Sequence, residues 1–277
     1  MSEKQLSQHR HISFTAHYTG YIWYQMGMSH PALATNKGKF LTKLVNPFET
    51  WAERIVGGSM RTTLKQRHQM IDKALTRLIE QHPNLQVIEI AAGLSPRGWR
   101  FRNQYPNIRY IEVDLPDMAQ VKQHALIEAG QAQAEVLAID LFTPELKTLF
   151  DRLEQNAPVV IISEGLINYF TKENLQQLWQ SFAQYGATFP EFYYLTDLYP
   201  EPTQHRLAKL IWQSSKLLKV MSRSAFSFHF QTPTEVINFF KMCGFSQVQV
   251  QQPSQDSLDV KDSEHVGDLV WFIQAKL

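Results

Sequence analysis

Gln86-Val87-Ile88-Glu89-Ile90-Ala91-Ala92-Gly93-Leu94-Ser95-Pro96-Arg97-Gly98 is the stretch on which the reading of this chain turns. Val87, Ile88, Ile90 and Ala91 make a short, nearly continuous apolar run, the pattern of a strand buried on both faces of a parallel sheet. Gly93 ends the run, and glycine there permits a positive φ or a close approach of backbone to ligand. Ser95 is then expected as an N-cap and Pro96 as the first helical residue. A helix start directly after a parallel strand offers unpaired N–H groups to a ligand at the strand's carboxyl edge. Glu89, inside the strand, must find partners, because an unpaired buried carboxylate is costly. Only one glycine of the three in the dinucleotide fingerprint is present, so the turn points to a nucleotide-like ligand without naming it.

The 277 residues suit one large domain or one domain with an elaboration. An apolar fraction of 44%, with 17 Phe, 10 Tyr and 6 Trp, is enough to fill a sizeable core. A formal net charge of +1 with interspersed signs gives no electrostatic footprint for nucleic acid or an acidic membrane. The single cysteine, Cys243, excludes a disulfide within the chain and reads as a buried, inert thiol. The ten histidines lack paired ligand spacing, so no metal site is expected. Met1 to His11 is polar with no apolar signal core, and no stretch approaches a membrane span. A soluble cytoplasmic protein is the expectation.

Residues 1–60 do not read as α/β. His17, Tyr18, Tyr21, Trp23, Tyr24 and Met26 form an aromatic cluster, read as the packing of a small helical layer or as a lid over a pocket. A loop is expected through His30-Pro31 and Asn36-Lys37-Gly38. A short amphipathic helix with Phe40, Leu41, Leu44 and Val45 follows, before Asn46-Pro47. A long helix is expected from Ser59 to Gln81, with Leu64, Ile71, Leu75 and Leu78 on one face and Arg61, Lys65, Arg67 and Arg77 read as solvated.

Further strands are expected at Ile108–Val113, Val136–Ile139, Pro158–Ser163 and Phe192–Thr196, each followed by a helix start or an acid. Asp114, some twenty residues past Gly93, is placed to accept hydrogen bonds from ribose hydroxyls. Thr143-Pro144 and Thr171 open helices, and Gly186 is read as a C′ residue. A helix is expected between Glu201 and Met221, and Thr232-Pro233-Thr234-Glu235 is a capping box ahead of another that ends at Gly244. Phe245–Val250 and Asp268–Gln274 then form an antiparallel hairpin. The sum is an α/β chain with a seven-stranded, mostly parallel sheet, residues 83–277, behind an N-terminal helical cap, residues 1–82.

Several of these stretches together resemble the leucine carboxyl methyltransferase family, which includes enzymes similar to bacterial polyketide O-methyltransferases. They are Glu89-Ile-Ala-Ala-Gly93-Leu-Ser, Glu112-Val-Asp114-Leu-Pro116, Asp140-Leu141 and Ile162-Ser-Glu164-Gly165-Leu-Ile-Asn-Tyr169, joined by Ser13-Phe-Thr15-Ala16 and Arg67-His-Gln-Met-Ile-Asp72. The resemblance runs from about Ser13 to Ile167 and is specific as a set. It implies the Rossmann-like class I methyltransferase fold and S-adenosyl-L-methionine as cofactor. It puts Arg67 on the cofactor's carboxylate, Gly93 under its methionine chain and Asp114 on its ribose. It puts Asp140 and Leu141 at the adenine and Glu164 near the amino group, with Glu89 in the same binding set. Where the family often carries a further glycine, this chain has Ala91, which fits if its φ stays negative.

The implied reaction is methyl transfer to a carboxylate or hydroxyl of a small organic, polyketide-like or aromatic acceptor. An ionised carboxylate needs no base, whereas a phenol or alcohol needs one, for which His229 and His205 are candidates. Tyr169 is a candidate for orienting the acceptor. Methylation of a protein C-terminal carboxylate is the alternative within the family. A nicotinamide-dependent dehydrogenase is disfavoured by the missing glycines and the terminal hairpin. A non-catalytic cofactor-binding protein would be expected to lack Asp114, Asp140 and Glu164, all of which are present. No nucleic-acid or membrane partner is expected, and monomer and dimer both remain open.

Overall fold

The apolar run at Val87 becomes β1 (Gln86–Ile90), the middle of a seven-stranded sheet. In the computed structural model the described residues are 3–44, 60–201, 227–252 and 270–277. The other strands are β2 (Arg109–Asp114), β3 (Glu135–Ala138), β4 (Val159–Ser163), β5 (Phe192–Leu198), β6 (Gln247–Gln251) and β7 (Trp271–Lys276). Their order across the sheet is β3-β2-β1-β4-β5-β7-β6. The first five are parallel, and β7 runs antiparallel between β5 and β6. Direction of winding reverses between β1 and β4. That switch point opens a crevice beyond the carboxyl ends of those two strands, where ligands bind in open α/β sheets.

The helices are α1 (Glu3–Gln25), α2 (over 36–44), α3 (Met60–Gln81), α4 (Arg97–Gln104), α5 (Pro116–Glu128), α6 (Glu145–Asp151), α7 (Lys172–Gly186) and α8 (Pro233–Met242). Alternation along the strands splits the core. Ile88, Ile90 and Ile161 meet Leu149, Leu175, Trp179, Phe182 and Phe240 of α6, α7 and α8 on one face. Val87, Val160 and Ile162 meet Ile71, Leu75 and Leu78 of α3 and Phe101 of α4 on the other. This double burial is why the β1 run is apolar throughout apart from Glu89. The expected face of α7 is buried as a unit, and Trp179 stacks on Phe240 at 3.9 Å. Fully burying each such side chain stabilises the fold by about 1.5–3 kcal/mol. Among the described residues no helix is long and apolar enough to cross a membrane.

Several local expectations shift. The aromatic N-terminal stretch lies on one long helix, α1, whose Tyr18, Ile22 and Trp23 pack with Leu41 and Leu64 while Tyr24 stays exposed. Asn36-Lys37-Gly38 is helical rather than loop. Gly38 is there because a Cβ would stand 2.2 Å from the His17 carbonyl, where α2 crosses α1. Leu41 faces inward, but Phe40 and Leu44 are exposed. Both helices expected to begin at Ser/Thr-Pro pairs open one residue later, with Pro96 and Pro144 as N-caps. The Ser95 hydroxyl donates to Glu89 at 2.8 Å and its oxygen accepts from the Arg97 N–H at 3.3 Å, so it serves both the buried carboxylate and the helix start. Gly186 closes α7 without a positive φ; it is needed because Phe192 would lie 2.6 Å from a Cβ. Thr232 caps α8 as expected. Val45, Asn46-Pro47, Ser59, His205 and the helix expected between Glu201 and Met221 lie outside the described residues, apart from Glu201 itself.

Candidate active site

The turn after β1 is a left-handed backbone. Ala91 has φ +49° and Gly93 φ +47°. The expectation of a negative φ at Ala91 is therefore wrong. The chain must bend away from β1 while the Ala92 N–H still donates to the Val113 carbonyl of β2, at 3.1 Å, and alanine takes the strained conformation a glycine would take freely. Asp114, at the end of β2, holds the same turn. One of its oxygens accepts from the Gly93 N–H at 2.6 Å and the other from the Leu115 N–H at 2.8 Å. Burial raises the Asp114 carboxyl above its usual value, and the two backbone donors pull it partly back.

Glu89 finds its partners in full. It accepts from Ser95 at 2.8 Å, from Arg97 Nη1 at 2.6 Å and from the Tyr110 hydroxyl at 2.7 Å. Glu112, on the same side of β2, is equally buried but paired elsewhere, with Lys122 at 2.7 Å and Arg102 at 2.6 Å. It is paired within the fold and does not line the cavity at the switch point. Gly98 makes room for it, since a Cβ there would lie 2.6 Å from the Glu112 carboxyl carbon.

Across the switch point, Glu164 follows β4. Arg67 of α3 reaches it, with Nε donating to Oε1 at 3.0 Å. Arg67 Nη1 donates to Asp197 at 3.3 Å and to the Tyr199 hydroxyl at 3.1 Å. The reading of Arg67 as a solvated charge is thus excluded, although Arg77 and Lys65 of the same helix are exposed. The other Glu164 oxygen accepts from His68 Nδ1 at 2.7 Å and Arg97 Nη2 at 2.6 Å. Burial alone would raise the Glu164 carboxyl; His68, Arg97 and Arg67 outweigh it and hold it well below the usual carboxylate range. Asp197 moves the other way: burial raises its carboxyl, which Arg67 and the Gly165 N–H, donating at 2.6 Å, only partly offset.

Between these two turns lies an open-mouthed cavity of about 80 Å³. Arg67, Glu89, Gly93, Glu164 and Tyr169 all line it. So do Thr15, Ala16, Thr19 and Trp23 of α1. That helix lies directly on the glycine turn: Cβ atoms at Gly20 and Gly93 would stand 2.6 Å from Leu94 and 3.0 Å from Ala16. Tyr169 shares a hydrogen bond with Thr15, and burial raises its hydroxyl above its usual value.

The remaining expected residues stand outside the lining. Asp114 sits behind Gly93. Asp140 closes a turn by accepting from the Phe142 N–H at 3.0 Å, and Leu141 packs on the core. His229 is half-buried and donates from Nε2 to the Phe170 carbonyl at 2.7 Å; burial lowers it.

Sequence reasoning gave no role to Arg97, His68, Asp72, Asp197 or Asn168. A signal was available for Arg97, because a cation in the first turn of a helix opposes the macrodipole and needs another reason to be there. Asn168 is buried and ties the Tyr199 backbone to Ser227, donating to their carbonyls at 2.9 and 2.8 Å. Nothing in the spacing could have paired it with residues so distant.

The family pattern for leucine carboxyl methyltransferases matches residues 31–183, more than half of the chain. The chain belongs to the leucine carboxyl methyltransferase family. The match begins after the Ser13–Ala16 stretch and extends beyond Tyr169 through most of α7. S-adenosyl-L-methionine is the cofactor that goes with this family. The tetracenomycin polyketide synthesis O-methyltransferase TcmP of Streptomyces glaucescens is 24% identical over 113 residues, which are 40% of this chain and 39% of that protein. The chain thus matches that relative over well under half of the relative's length. A provisionally named O-methyltransferase from Nostoc punctiforme PCC 73102 shares the fold, with a TM-score of 0.51 and 15% identity over 78% of this chain and 57% of that one. PigF, solved with S-adenosylhomocysteine, gives a TM-score of 0.49 at 13% identity over 72% of this chain and 51% of that one. The fold is that of the class I methyltransferases, with β7 inserted antiparallel between β5 and β6.

The residues present fit the family's cofactor. Gly93 offers a turn with no side chain beneath a ligand. Arg67 carries a guanidinium whose Nη2 makes no hydrogen bond among the described residues and lies 3.1 Å from where a Cβ on Gly165 would be.

Proposed function

We propose that this protein is an S-adenosylmethionine-dependent O-methyltransferase acting on a small organic acceptor, polyketide-like or aromatic. The observation that carries the reading is the meeting of Arg67 and Gly93 at one cavity on the switch point. Arg67 would hold the cofactor's carboxylate and Glu164 lie near its amino group, with Glu89 completing that wall. Gly93 would pass under the methionine chain, Asp114 serve the ribose, and Asp140 with Leu141 the adenine.

Bound there, the cofactor supplies a methyl group already activated by its sulfonium. The chain's part is alignment and exclusion of water. Of the segment expected as a cap, α1 contributes the wall of Thr15, Thr19 and Trp23 facing the β1 turn, whereas α3 packs on the sheet and belongs to the core. Tyr169 keeps its proton at neutral pH, since burial raises its hydroxyl, so it orients an acceptor as a hydrogen-bond donor. His229, the base expected for an acceptor with a proton to lose, has only Nδ1 free, because Nε2 is spent on Phe170, and it stands outside the cavity lining, so the reading rests on an acceptor that needs no base from it. The polyketide O-methyltransferase relative supports an O-methyl acceptor of small-molecule kind.

The test is transfer of labelled methyl from S-adenosylmethionine to a panel of aromatic polyketide phenols, small organic acids and a peptide with a C-terminal leucine carboxylate. Labelling of a small molecule is expected. Labelling of the peptide alone would reassign the protein to protein carboxyl methylation. Binding of neither S-adenosylmethionine nor S-adenosylhomocysteine by folded protein would overturn the reading altogether.

A further inference from the structure

Arg97 is the most heavily engaged side chain near the cavity, yet it does not line it. Its guanidinium is fully buried in the first turn of α4. Nε donates to Asp72 Oδ1 at 2.7 Å, Nη1 to Glu89 Oε1 at 2.6 Å and Nη2 to Glu164 Oε2 at 2.6 Å. Those three carboxylates belong to α3, β1 and the turn after β4, the elements that converge on the switch point. Glu89 and Glu164 are themselves part of the cavity wall.

Glu164 is the link that matters. One oxygen is held by Arg97 and by His68 Nδ1, the latter at 2.7 Å; the other receives Arg67 Nε at 3.0 Å. The Glu164 carboxylate is therefore held by Arg97 and His68, and it in turn holds the Nε side of the Arg67 guanidinium, whose Nη1 is held by Asp197 and Tyr199. His68 is packed in place by Trp23 of α1, ring centroids 4.4 Å apart, and its Nε2 faces Arg100, which can only donate. Arg100 also pairs with Asp72.

We propose that Arg97 is a positioning residue for the amino-acid end of the cofactor, acting through Glu164. This rests on the reading of the cavity as the S-adenosylmethionine site. Arg97 acts in two ways. It fixes the carboxylate that orients Arg67, and it neutralises acid at the place where an incoming carboxylate must approach. The first needs the planar fork, which serves three carboxylates at once; a lysine ammonium keeps the charge of the second without that geometry.

Arg97→Lys is therefore diagnostic, measured alone and on Glu164→Gln. The ligands are S-adenosylhomocysteine, which has the amino-acid end, and methylthioadenosine, which lacks it. Titration calorimetry gives the Kd, and thermal melting reports the fold separately. Arg97→Lys should weaken S-adenosylhomocysteine by about tenfold or more, as loss of a charge-assisted hydrogen bond does. Methylthioadenosine should change by less than about twofold, the scatter expected of independent sites. On the Glu164→Gln background the Arg97→Lys effect on S-adenosylhomocysteine should likewise shrink to within about twofold. Equal weakening of both ligands would show a structural role only, and a full effect without Glu164 would show that Arg97 does not act through it; either result overturns the proposal. If Arg97→Lys does not fold, His68→Leu removes the other donor to the same Glu164 oxygen and carries the same cycle. Wild-type protein that ignores S-adenosylhomocysteine would instead bring down the reading of the cavity.

Discussion

The backbone N–H of Gly93 donates to the carboxylate of Asp114 at 2.6 Å. The acid at the end of β2 thereby shapes the glycine turn at the end of β1, besides any hydrogen bonds it offers to a ribose. Asp114→Ala should weaken S-adenosylhomocysteine by about 1.5–3 kcal/mol. Glu112→Ala should instead cost stability, by about 3–5 kcal/mol, because it strands the buried Lys122. Calorimetric Kd and melting temperature measured on both variants decide it, and the reverse ranking would mean that Glu112 is the cofactor's acid.

Arg67 serves two sets of partners. Arg67→Ala deprives Asp197 and Glu164 of a buried cation, so a stability loss of about 3–5 kcal/mol is expected. At a temperature where the variant remains folded, S-adenosylmethionine and S-adenosylhomocysteine should weaken alike. Methylthioadenosine, without the carboxylate, should be nearly unaffected. Three equal losses would leave Arg67 with the fold and not with the ligand.

Ala91 stands at φ +49°. A left-handed alanine costs about 1–2 kcal/mol, partly offset by the greater chain entropy a glycine loses on folding. Ala91→Gly should then stabilise the protein by about 0.5–1 kcal/mol, read as a melting temperature higher by about 1–3 °C. A lower melting temperature would show that packing of the Ala91 methyl against the core outweighs the strain.

Acid should act through Glu164. Burial opposes its ionisation, but His68, Arg97 and Arg67 prevail and its carboxyl lies well below the ordinary 4.5. A carboxyl depressed on folding contributes stability above its unfolded value and loses it as pH falls through the folded one. Wild-type protein should therefore lose melting temperature below about pH 4.5 more steeply than Glu164→Gln, which has no proton to gain there. Asp197, raised by burial and further by Glu164 itself, contributes with the opposite sign and contributes less in Glu164→Gln, so the difference reports Glu164 together with its coupling to Asp197. Parallel melting curves across that range would remove Glu164 from the acid response.

Period and punctuation were enough to read most of the fold. Apolar runs bounded by glycine, proline and acids mark the inner strands β1, β4 and β5, because a strand buried on both faces has few polar positions to spare; the edge strands β3 and β6 are partly exposed and mixed in character. The spacing of Leu175, Leu178, Trp179 and Phe182, or the Thr232 cap, is local chemistry and survives transfer from sequence to structure.

The site is another matter. By charge and helical pattern alone Arg67 and Arg77 are alike; the family resemblance marks Arg67, and the sheet brings it to Asp197. Arg97, His68, Asp72, Glu89 and Glu164 form one charge network although up to 96 residues separate His68 from Glu164. No periodicity encodes a contact of that kind; only the folding of β1, β4 and α3 around one switch point places those charges together in low dielectric, where each must find a partner. The same holds for Ala91, whose positive φ comes from the need to reach β2 while turning away from β1. Local preference would have put a glycine there, and the tertiary bond network holds an alanine in its place.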